Sequence, residues 1–504
     1  MDDITVSTES LKRVVGGGLL IFGGTIFAKA TGFLRQFIII RMLSPEKYGL
    51  FALGLAFMTI AAGLGNLGLY QGSQRYIAYH DSLDQMDKVK GTVYATLRII
   101  AFTGIPLAMI IASLSGIISN FLSKPDFRQI LILFCVGIPL AMYAHIMVSF
   151  FFGFRRADIA VFLNDILFGA LSVIFILIGL LIARDTRAAV AALLVSLLAS
   201  LVVSVLAYRR TVTPRLKEAP ASPLTEELFF FSLPLFFSGV SYLILNNTDT
   251  LMLGYFSTSE EVGFYNASFL LMAFLPIFLN SFAIIFMPVL SGLLARKEGE
   301  EAKRLYRVIT KWILVLTLPL IATFFFFPAK VLTLLFPAPY GQAGRALAIF
   351  AAAEFFHTTL GPNEQALIAY GATKIHMASY ASAAALNIVL NLVLIPRMGI
   401  TGAAAATGIS LVVLNMITSG FLYARFRVHP FGRKNLVPLF LIVAASGALY
   451  LPLRAMVSYS KWLVLACYPI LLIVGAAIIL LTKSYSEEDL MVYRAVKSRL
   501  RALK

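Results

Sequence analysis

Charge is scarce in this chain: only 13% of its 504 residues are Asp, Glu, Lys or Arg, against about a quarter in soluble globular domains. That shortfall excludes a water-soluble fold, because too little polar material is present to cover the surface. Cysteine is nearly absent. Cys135 and Cys467 lie far apart in apolar runs, which excludes a disulfide framework. No Walker A sequence occurs, so a self-contained ATP-driven pump is excluded. The five histidines, at 80, 145, 357, 376 and 429, show no metal-ligand spacing. Long polar loops are missing too, the longest connection being about 209–227 (RRTVTPRLKEAPASPLTEE).

Apolar sequence is what the chain has, at 59% of residues. Long apolar stretches recur from residue 14 to 482, most near the ~20 residues that cross a hydrocarbon core. The pattern predicts an all-α polytopic membrane protein of about fourteen transmembrane helices. The formal charge of +17 would suit a nucleic-acid binder, but its placement argues against that partner. Lys12/Arg13, Arg155/Arg156, Arg209/Arg210, Arg425/Arg427/Arg433/Lys434 and the 296–311 loop all fall on one side of the predicted membrane. This positive-inside bias places both termini in the cytosol, with the chain in a cytoplasmic (inner) membrane. The first ten residues are polar and acidic, so no cleaved signal peptide is expected. The basic tail suits anionic membrane lipids.

An internal repeat organises the chain. Residues 43–54 read LSPEKYGLFALG and residues 257–268 read STSEEVGFYNAS. A shift of about 214 aligns Glu46 with Glu260 and Gly49 with Gly263. Further echoes pair FFGFRRADI (151–159) with IAYGATKIH (368–376), and IARDTRAAVAA (182–192) with IPRMGITGAAA (395–405). The expected organisation is a cytosolic N-terminus (1–13), an N-lobe of helices 1–6 (14–208) and a cytosolic linker (209–227). A C-lobe of helices 7–12 (228–424), two added helices (425–482) and a basic cytosolic tail (483–504) follow. Six spans per half make the repeats parallel, and such lobes enclose a central cavity that opens alternately to each side.

Ionisable groups within spans cost at least about 2.5–3.5 kcal/mol at a bilayer centre and therefore mark interiors. Lys29, Arg35 and Arg98 give the N-half a cationic character suited to an anionic substrate. In the C-half, polar stripes run at helical spacing: Ser238, Tyr242, Asn246 and Asp249, then Glu354, His357, Gly361 and Glu364 beside Pro362. Asn387 and Asn391 sit one turn apart. The repeat also aligns Arg35 with Asp249, opposite charges that would suit a gate between lobes. Gly63-Leu64-Gly65-Asn66-Leu67-Gly68 matches a dinucleotide fingerprint by letter, but inside an apolar span it reads as a packing stripe. Neither catalytic residues nor a metal site are expected.

The stretches GFLRQFIIIRMLSPEKYGLFALG (32–54), LPLFFSGVSYLILNNTDTLMLGYFSTSEEVGFYNAS (233–268) and LNIVLNLVLIPRMGITGAAAATGIS (386–410) resemble the polysaccharide-transporter flippases. That family belongs to the superfamily of lipid II flippases and multidrug/cation antiporters. The resemblance implies movement of a polyprenyl-(pyro)phosphate-linked oligosaccharide to the outer leaflet, with no enzymatic chemistry and no cofactor. It also implies coupling to Na+ or H+, and glycosyltransferases and a polymerase of the same pathway as partners. Related lipid II flippases bind sodium through residues matched here by Asp249, Asn387 and Thr407, with Asn391 replacing an acid. The substrate set expected in the cavity is Lys29, Arg35, Arg98, Glu354, His357 and Glu364. Competing readings are a cation-coupled multidrug exporter, a lipid II flippase, a membrane-embedded glycan polymerase or ligase, and a non-transporting scaffold.

Overall fold

The computed structural model describes residues 8–485 apart from 218 and 223, and side chains from residue 23 onward apart from 238 and 433. The side chains of Lys12, Arg13, Ser238 and Arg433 and the tail 486–504, all invoked above, therefore lie outside the described residues. Among the described residues the secondary structure is helical, with no strand. Packing divides the chain after Gly263 into two compact units.

The first unit begins with α1 (Thr8–Met42), α2 (Pro45–Asn66), α3 (Leu69–Ser82), α4 (Met86–Phe121) and α5 (Phe127–Gly153). A short α6 (Ala157–Val161) runs through a π-helical turn, Phe162–Leu167, into α7 (Phe168–Ile182). Then come α8 (Thr186–Thr211), the single turn α9 (Thr213–Leu216) and α10 (Thr225–Phe256). The unit ends within α11 (Ser259–Met272). Helix α5 is its axis, packing on α2, α3, α4 and α8, and α10 lies along α2, α3 and α4. The repeat places α10 beyond the 209–227 linker, at the head of the second half. By packing it sits in the first unit, because sequence periodicity records helix order and says nothing of which neighbours a helix covers.

The second unit contains α12 (Ile277–Ala295), α13 (Gly299–Phe326), α14 (Pro328–Leu335), α15 (Gly344–Leu360) and α16 (Asn363–Ala369). It continues with α17 (Thr373–Phe426), α18 (Arg433–Ala448), α19 (Tyr450–Tyr459) and α20 (Val464–Leu481). Helix α15 packs on both α13 and α17, and α18 and α20 lie on α13.

Nine helices among the described residues are long and apolar enough to cross a membrane, or eleven if each of two bent pairs is one span. The count of about fourteen expected from sequence is not reached by this criterion. Two expected spans are merged into α17, whose 54 residues bend at Gly399 (φ 54, ψ −131). Another is broken between α15 and α16 at Gly361 (φ 70), a positive φ that a side chain would resist. The glycine stripe packs as expected. An added Cβ at Gly65 would press on Met142, and one at Gly68 (φ 75) would overlap the Ser232 carbonyl of α10.

Helix starts in the two halves are built alike. Ser44 caps α2 by accepting from the Lys47 N–H at 3.3 Å, with Pro45 at the first helical position. At the shift of 214, Thr258 does the same for α11, accepting from the Glu261 N–H at 3.2 Å while Glu261 Oε2 accepts from the Thr258 N–H. That is a capping box. The two helix ends then cross at their glycines. An added Cβ at Gly49 would overlap the Ser259 carbonyl, and one at Gly263 would overlap the Pro45 carbonyl. The shift of 214 carries Gly49 onto Gly263 and Pro45 onto Ser259. The contact is therefore reciprocal, as across a two-fold axis.

Candidate functional site

The first unit holds a cavity of about 510 Å³. Helix α1 lends it Thr31 and Arg35, α2 Thr59 and Asn66, and α5 His145, while the π-turn lends Asn164 and Asp165. Single π-turns inside helices recur at functional sites. Here the turn puts two consecutive polar side chains on one cavity, and the Asn164 amide donates to Asp165 Oδ1 at 2.7 Å. Arg35 lies over the Phe168 ring, its guanidinium carbon 5.8 Å from the centroid. That cation–π seating fixes the cation without consuming its donors. Tyr70 meets His145 edge-on, ring centroids 6.4 Å apart. The wall combines one cation, one carboxylate, two amides and two threonine hydroxyls, a set able to bind a phosphate group and sugar hydroxyls side by side.

Of the three cations expected here, only Arg35 lines this cavity. Lys29 is exposed on α1. Arg98 is exposed on α4, lying over Phe102 on a flank it shares with exposed Tyr94 and Ile105. Its stem covers apolar surface, as a snorkelling arginine does. Sequence reasoning passed over Asn66, His145, Asn164 and Asp165. A signal for Asp165 was present, since it is a carboxylate inside a predicted span.

One end of this unit is closely packed. Besides the glycine crossing, the α4–α5 loop contributes Lys124, whose ammonium donates to the carbonyls of Gly254 at 2.6 Å and Ser257 at 2.8 Å. These carbonyls belong to the last turn of α10, the negative end of its dipole. Burial holds the Lys124 ammonium below the ordinary lysine range, opposed by the Glu261 carboxylate. A second cavity of about 470 Å³ lies here, lined by Glu46, Lys124, Asp126, Thr258 and Glu261 among others.

Asp249 and Thr250 are buried on α10, within the first unit. The other members of the expected ion set are in the second, where they form a chain: the Asn391 amide donates to Asn387 Oδ1 at 3.1 Å, and the Asn387 amide to Thr407 Oγ1 at 3.4 Å. Among the described residues no group of three or more His, Cys, Asp or Glu could hold a metal ion.

Glu354, His357 and Glu364 flank the broken helix of the second unit. His357 Nδ1 is 3.2 Å from Glu354 Oε2. Across the break, the Tyr380 hydroxyl donates to Glu364 Oε2 at 2.9 Å, with His376 Nε2 at 4.0 Å from the same oxygen. The break is held open from both sides. The Tyr306 hydroxyl donates to the Leu360 carbonyl, and the Asn363 amide donates to Asn415 Oδ1 at 2.9 Å and Ser419 Oγ at 2.8 Å.

Comparison with known proteins adds the family. The model of the polysaccharide biosynthesis protein family matches residues 14–294, and that of the lipid II flippase MurJ matches residues 169–473. The chain belongs to the polysaccharide-transporter family. Its superfamily also holds the MurJ and multidrug transporters. It is 25% identical over 422 residues to the "Probable low-salt glycan biosynthesis flippase Agl15" of Haloferax volcanii, covering 82% of this chain and 81% of that one. Among solved structures it resembles a lipid II flippase MurJ in an inward closed conformation, with a TM-score of 0.71 at 12% identity, covering 92% of this chain and 98% of the other. An inward-facing multidrug resistance MATE transporter gives a TM-score of 0.66 at 13% identity, covering 81% and 98%. These two likenesses concern the fold. Members of this family are membrane transporters with multiple transmembrane helices.

Proposed function

We propose that this polysaccharide transporter is a flippase that moves a polyprenyl-(pyro)phosphate-linked oligosaccharide from the cytosolic to the outer leaflet by alternating access, without catalysis. The observation that carries the reading is the first unit's cavity, which sets Arg35 beside the amides of Asn66 and Asn164 and the carboxylate of Asp165. The guanidinium suits a phosphate linkage, since its donors match phosphate oxygens in pairs. The amides, carboxylate and threonine hydroxyls suit the first sugar. The similarity to a glycan biosynthesis flippase supports the same substrate class. Lys29, Arg98, Glu354, His357 and Glu364 remain proposed contacts of the fuller substrate path. In cells lacking the protein, the lipid-linked oligosaccharide is expected to accumulate on the cytosolic leaflet. Unchanged leaflet distribution in such cells would refute the reading. A second reading, transport of lipid II, is favoured by the match to the MurJ family model. Feeding both substrates in one assay separates the two.

With both termini cytosolic, the end shut by Lys124 and the two glycines faces outwards. Replacing Lys124 with Met keeps the stem and removes the ammonium, deleting among others its charge-assisted hydrogen bonds to the Gly254 and Ser257 carbonyls, worth roughly 1.5–3 kcal/mol each. The variant is expected to expose the cavity from outside. A cysteine at Thr59, in a background with Cys135 and Cys467 replaced by Ala, should react with an impermeant maleimide about tenfold faster in Lys124→Met than in its parent. Equal rates would show that Lys124 does not hold this end closed.

A further inference from the structure

Acidic side chains are missing from one end of the second unit. Over 312–353, 377–424 and 435–482 the chain has five Asp, Glu, Lys or Arg side chains, and all five are cations: Lys330, Arg345, Arg397, Arg454 and Lys461. Each stretch leaves the end where the start of α13, α16 and the end of α17 pack together, and returns to it. The five cations gather at the other end, beyond α13, whose 28 residues span about 40 Å. The contrast with the 296–311 loop is sharp. There the cations alternate with carboxylates and pair with them, Arg296 with Glu298 at 3.2 Å and Lys303 with Glu300 at 2.7 Å.

Four of the five surround the short helix α14, which buries Val331, Leu332 and Leu334 and leaves Lys330 exposed. Its Ala329 packs against Gly344, where an added Cβ would lie 3.3 Å from the Ala329 Cβ. The next residue is Arg345, also exposed. Lys461 reaches the last turns of α14 and donates to the Thr333 carbonyl at 3.1 Å, using one of its three donors. Tyr450 meets Phe326 and Phe327, which lead into α14, at centroid distances of 5.1 and 5.8 Å. Arg454 lies over Tyr450, its guanidinium carbon 6.0 Å from the ring centroid. Among the described residues none of these four pairs with a carboxylate. Cations gathered in this way repel one another unless an outside anion joins them. Tyr459 and Trp462, on either side of Lys461, are 89% and 62% exposed. Such rings sit at the headgroup level of a bilayer.

We propose that this end of the second unit binds an anionic phospholipid. Its headgroup phosphate is held among Lys330, Arg345 and Lys461, and its acyl chains lie on exposed Leu463 and Leu465. The guanidinium of Arg345 matches two phosphate oxygens with a pair of donors, and the two ammonium groups add point charges. Arg454 brings a fourth positive charge to the rim. A zwitterionic headgroup offers the same phosphate but carries its own cation, so the site selects lipids of net negative charge. The tail that follows Ser484 starts from the opposite end, where the Lys311 ammonium donates to the Ser484 carbonyl at 3.2 Å. The patch and the basic tail are thus separate. With both termini cytosolic, the patch faces the outer leaflet, where a positive-inside chain carries few cations. The site itself rests on neither that topology nor the flippase reading.

The chain has two tryptophans, Trp312 and Trp462, so Trp312→Phe leaves a single fluorophore, and it lies inside the patch. This full-length parent is reconstituted into vesicles of phosphatidylcholine and phosphatidylglycerol, with the upper acyl chain of one lipid at a time brominated to quench fluorescence on contact. At low salt, phosphatidylglycerol is expected to be enriched about tenfold over phosphatidylcholine beside Trp462, and the enrichment should shrink in high salt. Adding Lys330→Gln, Arg345→Gln and Arg454→Gln together should bring the ratio to about one, with Lys461 left on its carbonyl. Lys330→Arg alone should keep the enrichment. Soluble glycerol phosphate or polyglucuronate, at matched ionic strength, should not relieve the quenching. Equal quenching by the two brominated lipids in the parent would overturn the site without recourse to any variant. So would an enrichment that survives the three substitutions, which would assign it to other cations. Relief by glycerol phosphate or by polyglucuronate would overturn it as well, giving the patch to free phosphate or to an acidic polysaccharide.

Discussion

Gly49→Leu is expected to leave the protein folded and to abolish transport. The reason is local: a single Cβ at Gly49 already overlaps the Ser259 backbone carbonyl, and a backbone carbonyl cannot rotate aside as a flexible side chain can. Overpacking of ordinary side chains costs about 1–3 kcal/mol, and a backbone clash at a helix crossing is at the upper end or beyond. The closed end should therefore open, and the cysteine at Thr59 should become reactive from outside to at least the extent expected for Lys124→Met. Because the contact is reciprocal, Gly263→Leu should give the same phenotype. The double variant should be no worse than either single one, since once the crossing is open the second side chain meets nothing. Non-additivity of this kind is what neighbouring sites show when they share one contact. Gly292→Leu, at a position with open space around an added Cβ, is the control and should transport normally. Additive gains in labelling of the Thr59 cysteine at 49 and 263, or full transport by either single variant, would refute a closure made by this crossing.

The second large effect is expected at Arg35. Removing one partner of a desolvated charge pair costs about 2–5 kcal/mol, so Arg35→Ala should cut glycan transport on the order of a hundredfold. Lys in its place should recover only part of the activity, because a point charge lacks the planar fork that grips two phosphate oxygens and stacks less well on Phe168. Asp165→Asn should give a smaller loss that depends on the sugar and not on the lipid phosphate, which separates the two parts of the cavity. Lys29→Ala and Arg98→Ala, at exposed positions outside that cavity, should fall well short of Arg35→Ala. Equal losses at all three cations would mean that the substrate is held by diffuse charge and not by this cavity.

Much of this architecture was legible in the sequence, for physical reasons that also set the limit. The membrane fold follows from composition, because lipid is the only solvent in which so little charge suffices. The repeat was legible from Gly49 and Gly263, residues whose identity is fixed by close backbone approach, and the structure sets these two glycines against each other. The echo between 182–192 and 395–405 marks equivalent junctions, a loop before α8 in one half and the Gly399 bend within α17 in the other. Arg35 was legible because a guanidinium inside a span has few places to go. Lys124 was not, since a lysine in a short loop looks the same whether it is solvated or capping another helix. Asn164 was hidden by the π-turn, whose altered pitch breaks the 3.6-residue stripe by which the polar faces of α10 and α15 were found, and Asp165 was legible only as a lone carboxylate within a span. The expected gate between Arg35 and Asp249 stays a proposal; at the glycine crossing the close contacts are backbone against glycine, and beside it an ammonium on carbonyls.

The central claim is that this chain itself moves a lipid-linked glycan, and one measurement bears on it most directly. The purified protein is reconstituted into vesicles containing a polyprenyl-diphosphate oligosaccharide with a fluorescent sugar, and the fraction quenched by an impermeant reductant is followed in time. The wild type is expected to carry the shielded pool to the outer leaflet within minutes, Arg35→Ala to do so on the order of a hundredfold more slowly, and Gly49→Leu not at all. A shielded pool that stays constant in wild-type vesicles, or one that the two variants exchange as fast as the wild type, would contradict it.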